Sequence, residues 1–422
     1  MKIKKSFLVF IIIFALYLSN FAYDFNKDTK NNDYRNLMTA ADVIPSTFLP
    51  YTLIKDHTFA LDSISYYLRY FDSNSPTPYF LFTRNGHKYS VYPVFTAIAA
   101  VPFYLIPILL NKIPDFKYHE NLLKMLAIGR VAAAFYSALA CLLIYKILKK
   151  LSDNQKEVIL FTIFFALGTT MWSISSRGLW QHTLSVPLLA AVIYLLLKYE
   201  NNKYNPFFVG LFTGFLVLTR LTNLIIAVMV FVYLVLRFRK NIWMFLVATL
   251  PSMVFLFIYN FYVFGSPFIE GYEARSNISW STPLLTGLLG FLFSPARSFL
   301  FISPPLILSF VGIYLLFKNK SFGGKYNELL RFLSVGFIGL ILLLSKWFAW
   351  HGANGFGYRM LTDLLPIAII LTFLIYQKLG KIAKIVVIIF ILYSIVIQFD
   401  AVMFKKSRCT VKNNYNFNCL TL

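Results

Sequence analysis

The chain has 422 residues, of which 58% are hydrophobic and 14% charged, and it carries a formal net charge of +23. About a quarter of the residues are charged in a typical soluble domain, so this composition excludes an ordinary soluble protein. The basic residues are scattered between apolar runs, which is how membrane proteins encode topology. We therefore do not expect nucleic-acid binding.

Apolar runs near the length of about 20 residues that crosses a bilayer follow one another along the chain. The first, 6–23, comes after Lys2, Lys4 and Lys5. A cleaved signal peptide is one reading of it, but the run is long and many others follow, so we favour a retained span. The chain is thus predicted to be an all-α polytopic membrane protein of about eleven transmembrane helices. The other predicted spans are 126–148, 157–174, 183–199, 205–219, 221–237, 241–262, 299–317, 329–346, 361–377 and 383–401.

The distribution of Lys and Arg predicts which side of the membrane each loop faces. If successive spans alternate, most basic residues fall on the side of the N-terminus, which is therefore predicted to be cytoplasmic. The long segment 24–125 and the segment 263–298 then lie outside. We predict one domain over 1–404 and a short polar tail over 405–422, whose basic residues do not follow the charge pattern.

The run 94–110 is the main ambiguity of this topology. It is long enough for one more span, but a span here would move every later basic loop to the outside. We therefore predict a helix that lies in the outer interface of the membrane, and leave open whether it crosses. Residues 24–125 then form one long external segment with juxtamembrane helices, and a segment of this length is usually functional.

Asp42 stands in a largely apolar stretch, 41–50, of the external segment. A carboxylate in such surroundings could act as a general base towards a hydroxyl group or hold a divalent cation. A helix N-cap or a salt-bridged loop residue is the alternative. Tyr92, just before the interfacial helix, is a candidate cavity residue, and anchoring at the lipid headgroups is its alternative.

The segment 346–366 is the densest in polar groups and glycines. Arg359 has a planar guanidinium suited to phosphate oxygens, and the glycines before it allow close backbone approach. Asp363 follows four residues later, so in an α-helix it would share a face with Arg359 and could orient the guanidinium. Arg297 and Arg220 are further candidate phosphate partners at the outer leaflet, with snorkelling towards lipid as the alternative.

His182 and His351 both lie at predicted outer loops, beside Trp180 and Trp350. Two histidines and a carboxylate could bind zinc, but the spacing does not require it, and ordinary hydrogen-bonding histidines are favoured. We assign no metal, and a divalent cation stays open. The sequence has no glycine-rich phosphate loop, nucleophile elbow or HExxH pattern, so it does not indicate ATP-driven or serine-hydrolase chemistry.

A series of short motifs, taken in order, resembles a known family. The motifs are Asp42 within 41–50, Tyr92-Pro93 at the interfacial helix, Gly129-Arg130, Gly168-Thr169, Trp180-Gln181-His182, Thr219-Arg220, Tyr259-Asn260, 293–297 and 357–366. Together with the long first external segment, they resemble the bacterial GT-C glycosyltransferases of the protein O-mannosyltransferase and aminoarabinose transferase type. Enzymes of that family take sugars from polyprenyl-phosphate carriers.

The resemblance implies a GT-C-type helical bundle that transfers a sugar from a polyprenyl-phosphate donor on the extracytoplasmic face of the cell membrane. It implies that Asp42 is the catalytic base and that Arg359 and Arg297 hold the carrier phosphate. The sequence departs from the protein mannosyltransferases in lacking their motif of two adjacent acids, Asp-Glu, so the acceptor is left open as a lipid, a glycan or a protein. Some relatives bind a metal, which is likewise left open.

We expect a substrate cavity around these groups, with membrane lipids as further partners. Its expected residues beside Asp42 and the arginines are Tyr92, Trp180, His182, His351 and Asp363. The alternative function is a transporter or flippase for a lipid-linked or polar substrate. The sequence shows no internal repeat and its charges cluster at the outer edge of the spans, which disfavours that alternative.

Overall fold

The computed structural model describes residues 5–31, 37–38, 40–71, 78–198, 205–275, 280–319, 321–353 and 355–404, so the predicted tail lies outside the described residues. The described chain is mainly helical, because apolar segments satisfy their backbone hydrogen bonds most completely within a helix. Its elements are α1 (Lys5–Lys30), α2 (Ile44–Lys55), α3 (Asp62–Leu68), β1 (Leu81–Arg84), β2 (His87–Ser90), α4 (Phe95–Leu109), α5 (His119–Leu151), α6 (Gln155–Leu167), α7 (Thr170–Ser173), α8 (Gln181–Leu196), α9 (Asn205–Thr219), α10 (Leu224–Arg237), α11 (Ile242–Phe264), α12 (Gly271–Arg275), α13 (Leu284–Phe293), α14 (Phe299–Ile302), α15 (Leu308–Lys318), α16 (Asn327–Ser345), α17 (Leu365–Lys378) and α18 (Lys381–Met403).

The described residues include six stretches that are long and apolar enough to cross a membrane, judged by length and composition. Shorter apolar helices accompany them, among them α4, α8, α9 and α15. This gives the chain the character of a membrane protein. The six long stretches are Lys5–Lys30, Glu120–Leu151, Arg239–Phe264, Gly324–Ser345, Arg359–Lys378 and Lys381–Met403.

Two of the predicted spans are interrupted helices. Over 157–174, α6 ends and α7 begins after a break, where the Thr169 side chain caps the new helix. Over 299–317, Pro304 and Pro305 lack the N–H groups that would extend α14, and the chain continues through a 3-10 turn into α15. Neither of these two predicted spans is therefore one continuous helix.

The prediction of an all-α chain is wrong in one detail, because the segment 24–125 contains a β-hairpin. Strands β1 and β2 pair antiparallel, with Leu81 opposite Ser90. The turn residues Asn85 and Gly86 both have positive φ, 51° and 83°, as a two-residue hairpin turn that matches the strand twist requires. An Asn-Gly pair is the strongest short-range hairpin signal, so the sequence did carry this information.

The described residues of the segment 24–125 pack as a folded unit onto the helices. The apolar residues of α2, α3, the hairpin and α4 form one buried cluster with the first half of α5 and the end of α11. Helix α4, which corresponds to the predicted interfacial helix, has 15 residues and so is about 22 Å long. That length is shorter than a hydrocarbon core of about 30 Å. A second apolar cluster lies between the long helices.

Buried and half-buried ion pairs connect the ends of distant helices. Near the end of α1, the Asp24 carboxylate accepts hydrogen bonds from Arg130 Nη2 at 2.6 Å and from Arg177 Nη2 at 2.8 Å. Elsewhere, Lys384 Nζ donates to Glu157 Oε1 at 2.7 Å and joins the beginnings of α6 and α18. The charge pattern predicted that these two beginnings face the same side of the membrane. Asp24 was missed because the first helix was predicted to end at residue 23.

Candidate functional site

A cavity of about 400 Å³ lies where the segment 24–125 meets the segment 346–360. It brings together six of the residues predicted from sequence, and three others that were predicted lie outside its lining. The lining residues are Asp42, Tyr79, Val91, Tyr92, Trp180, Gln181, His182, Arg220, Tyr272, Trp347, Phe348, Ala349, Ala353, Arg359 and Met360.

Asp42 is held in this cavity by three hydrogen bonds. The 3-10 turn Ala41–Val43 presents it just before α2. Its Oδ2 accepts a hydrogen bond from Arg359 Nη1 at 2.8 Å, and its Oδ1 accepts from the Tyr79 and Tyr92 hydroxyls at 2.8 and 2.9 Å. It does not cap α2, whose N-cap residue makes no side-chain cap. Asp42 therefore forms the ion pair that was the alternative to catalysis, and its catalytic role stays a prediction.

These contacts decide the protonation state of Asp42. Burial raises the pKa of the carboxyl group, but the charge of Arg359 and the hydrogen bonds from Tyr79, Arg359 and Tyr92 outweigh burial and lower the pKa from its ordinary value. Burial and the neighbouring Asp42 charge raise the pKa of both tyrosines. Asp42 is therefore an ionised carboxylate, and the tyrosines remain protonated donors.

The Arg359 guanidinium is buried and only partly used. It lies 4.5 Å from the centre of the Trp180 ring, a cation–π distance. Its Nε has no hydrogen-bond partner in the described chain, although the residue is only 7% exposed. Gly352 and Gly355 leave the space that its side chain occupies, because a Cβ atom at either position would contact it.

A second ion pair stands beside the first. The buried Asp363 accepts a hydrogen bond from Arg220 Nη1 through Oδ2 at 2.5 Å, and its Oδ1 lies 3.0 Å from His182 Nδ1. The prediction that Asp363 orients the Arg359 guanidinium is wrong. Residues Arg359–Leu364 form a 3-10 helix, in which three residues make a turn, so residues four apart do not share a face.

Arg297 lies outside the cavity lining and braces the glycine segment. Its guanidinium donates to the backbone carbonyls of Ala353 at 2.7 Å, Gly355, and Gly357 at 3.4 Å. These contacts account for its burial without a phosphate. In the structure Arg297 positions the loop before Arg359, and its predicted contact with the carrier phosphate stays a prediction.

His351 also lies outside the cavity lining, and its Nδ1 accepts a hydrogen bond from the Ala353 N–H at 3.1 Å. Burial, and then the charges of Arg297 and Arg359, lower its pKa to about 4, so this histidine is neutral at physiological pH. The residues that the structure describes contain no group of three His, Cys, Asp or Glu side chains arranged to hold a metal ion.

Several cavity residues carried no functional signal in the sequence. Tyr79, Tyr272 and Trp347 come from three separate segments, and no spacing along the chain relates them. Trp347 does lie in the segment singled out for its polar groups and glycines. The others could be recognised only once the chain had folded.

No protein-family model and no curated protein matches this chain. What the site can do must therefore be argued from its geometry. Arg220 and Arg359 each donate to a carboxylate through one nitrogen, Nη1, which leaves further N–H groups for a ligand. Two arginines beside an ionised carboxylate, in a largely buried cavity, suit an oxyanion and a hydroxyl group bound side by side.

Proposed function

We propose that this chain is a membrane glycosyltransferase of GT-C type that moves a sugar from a polyprenyl-phosphate donor to an acceptor hydroxyl group on the extracytoplasmic face. The observation that carries the proposal is Arg359, buried beside Asp42 with an Nε that has no partner in the described chain. Buried polar groups nearly always have partners in native proteins. A phosphate oxygen would be a suitable partner, because guanidinium groups bind phosphate in bidentate fashion.

In the proposed reaction Asp42 accepts the proton of the acceptor hydroxyl group. The acceptor oxygen forms a bond to the anomeric carbon of the sugar while the bond from that carbon to the phosphate oxygen breaks. The phosphate leaves with the electron pair, and Arg359 and Arg220 stabilise its charge in a cavity of low dielectric constant. The configuration of the anomeric carbon is inverted.

Arg359 cannot keep its full interaction with Asp42 while it also binds a phosphate. A donor phosphate would compete for the guanidinium and weaken its interaction with Asp42. Because the charge of Arg359 helps to lower the pKa of Asp42, donor binding would make the carboxylate more basic. The proposal therefore includes activation of the base by the donor itself.

We propose that the chain crosses the membrane about eleven times, counting the interrupted segments around α6–α7 and α14–α15 as crossings. Broken helices are tolerated at membrane depth where protein surrounds them. The pairs Asp42–Arg359 and Glu157–Lys384 support this arrangement. The first joins two segments predicted outside, and the second joins two predicted cytoplasmic ends.

The proposal is tested with purified protein in liposomes, a radiolabelled polyprenyl-phosphate sugar, and a bacterial membrane extract as the source of acceptor. Asp42→Asn should lower the rate of label transfer by about 10²- to 10⁴-fold, the usual contribution of a general base. Asp56→Asn is the control, because Asp56 is an exposed acid of the same segment that bonds to Ser63. Equal transfer by wild-type protein and Asp42→Asn would remove Asp42 as the base.

The donor site is tested separately with Arg359 variants. Arg359→Lys keeps the charge but loses the planar fork, so we expect a higher KM for the donor, and Arg359→Ala should raise it further. Arg69→Ala is the control, because Arg69 is exposed in the same external segment. Uptake of the labelled donor into vesicles without release of polyprenyl phosphate would favour the transporter over the transferase.

A further inference from the structure

A side pocket opens beside the main cavity and contains a carboxyl group that the proposed reaction does not use. The side pocket measures about 40 Å³. It shares Gln181, Arg220, Tyr272, Trp347 and Met360 with the lining of the main cavity, and Glu270 and Trp280 are among the residues that it adds. The two spaces therefore adjoin along one wall.

The backbone next to Glu270 packs closely against a neighbouring segment, and its carboxyl group has no partner among the described residues. The backbone at Gly271 lies against the Val91 carbonyl group, so closely that a Cβ atom at position 271 would not fit. The Glu270 carbonyl accepts a hydrogen bond from the Ala274 N–H at 2.9 Å. Within the described chain, its carboxyl group makes no hydrogen bond or ion pair. Burial, and then the charge of Glu273, raise its pKa above the ordinary value and outweigh the opposing charge of Arg220.

Part of the wall between the two spaces is aromatic. Tyr272 and Trp347 meet edge to face with ring centres 5.2 Å apart, and Trp280 and Trp347 do so at 5.0 Å. Aromatic faces carry partial negative charge, which suits the weakly positive C–H groups on one face of a pyranose ring. The Gln181 amide, with no hydrogen-bond partner among the described residues, offers donors and an acceptor to hydroxyl groups.

The size and charge of the side pocket select the group that it can hold. One water needs at least about 10–15 Å³ of such space, so 40 Å³ accommodates a few non-hydrogen atoms and not a whole ring. Arg220 and Glu270, which carry groups of opposite type, both line the pocket, so it offers hydrogen-bond donors and acceptors together, as a hydroxyl group requires. A neutral hydroxyl-bearing arm fits these conditions.

We propose that the main cavity holds a hexopyranose ring against Tyr272 and Trp347, and that the hydroxymethyl arm of this sugar enters the side pocket to bond with Glu270 and Gln181. This inference rests on the proposed sugar transfer and adds a substrate class to it. A hexose is therefore selected over the pentose that lacks this arm.

The test uses direct binding, so that it does not depend on transfer. The intrinsic fluorescence of the protein, which includes Trp280 and Trp347, is titrated in a detergent without a sugar headgroup. The ligands are methyl hexopyranosides and their matched pentopyranosides, such as the glucoside and the xyloside, which differ only in the hydroxymethyl arm. In at least one pair we expect the hexoside to bind about tenfold more tightly or better. Glu270→Ala should abolish this preference, and Glu273→Ala, at an exposed neighbouring acid, should keep it.

Equal binding within every pair, no binding of any glycoside, or a preference that survives in Glu270→Ala would each overturn the inference. The transfer assay then separates it from the proposed function. Hexoside preference without transfer from any donor would refute the transferase and leave the sugar site standing. If transfer occurs, a higher donor KM in Glu270→Ala would assign the site to the donor sugar, and a higher acceptor KM would assign it to an acceptor sugar.

Discussion

Replacing Tyr92 by Phe would remove one hydrogen bond from the Asp42 carboxylate and leave the aromatic ring in place. The Tyr92 hydroxyl donates to Asp42 Oδ1 at 2.9 Å, and Tyr92 is only 5% exposed, so water has little access to replace it. Because this bond is one of the contacts that lower the pKa of Asp42, the pKa should rise in the variant.

The size of the effect follows from the strength of the bond. A hydrogen bond to a charged group contributes about 1.5–3 kcal/mol, and a tenfold change in an equilibrium constant corresponds to about 1.4 kcal/mol. We therefore expect the proton affinity of Asp42 to rise roughly tenfold to a hundredfold. Tyr79→Phe should have a smaller effect, because Tyr79 is 43% exposed and water can take the place of its hydroxyl.

The assay is the pH dependence of kcat/KM for sugar transfer, which reports the ionisation of the free enzyme. If Asp42 is the base, activity falls in acid as the carboxylate is protonated. The acid limb should move to higher pH in Tyr92→Phe, less in Tyr79→Phe, and not in Tyr66→Phe, whose side chain is 71% exposed. An acid limb that stays in place in Tyr92→Phe would refute the reasoning.

Stability provides a check that needs no substrate. The pKa of Asp42 is lowered in the folded protein, so its contribution to stability is present above the pKa of the unfolded chain. That contribution is lost as the pH falls through the folded pKa. Tyr92→Phe should therefore lower the thermal unfolding temperature near neutral pH and should approach wild type in acid. A difference that is independent of pH would point to packing alone.

Three further predictions concern the surroundings of the cavity. Asp363→Ala leaves the buried Arg220 and His182 without their carboxylate partner and should destabilise the protein by about 3–5 kcal/mol. An unchanged unfolding temperature would contradict this prediction. Gly271→Ala introduces a clash with a neighbouring carbonyl and should cost about 1–3 kcal/mol. Gly380→Ala is the control, because a Cβ atom at Gly380 has no neighbour within 4 Å. Similar unfolding temperatures of Gly271→Ala and Gly380→Ala would contradict the close packing at Gly271. The pKa of His351 is lowered to about 4, so this side chain does not change its charge between about pH 5 and 8. His351→Gln should therefore leave the shape of the pH–rate profile in that range unchanged. If the variant lacks an ionisation that the wild-type profile shows in that range, the prediction is wrong.

Most of the helical elements could be predicted from the sequence. The predicted span 205–219 coincides with α9, and α11, α16 and α18 begin and end within a few residues of their predictions. The reason is local, because an apolar run in a low-polarity environment has to satisfy its own backbone groups as a helix. The predictions failed where a local signal was overlooked, as at the Asn-Gly hairpin and at Pro304-Pro305.

The sequence also indicated which segments carry polar groups suited to chemistry. Asp42 was singled out as a carboxylate in apolar surroundings, and Arg359 as a guanidinium among glycines. Both line the cavity. Residue type and local composition suffice for this, because ionisable groups are costly in apolar surroundings and rare there without a role.

Which residues pair was decided only by the tertiary structure. Asp42 and Arg359 are 317 positions apart, and nothing local relates them. Asp363 was predicted to pair with Arg359, but the 3-10 geometry of Arg359–Leu364 turns it towards Arg220 and His182. A side chain's direction depends on the local helix type, and its partner depends on how distant segments pack, so neither could be read from composition or spacing along the chain.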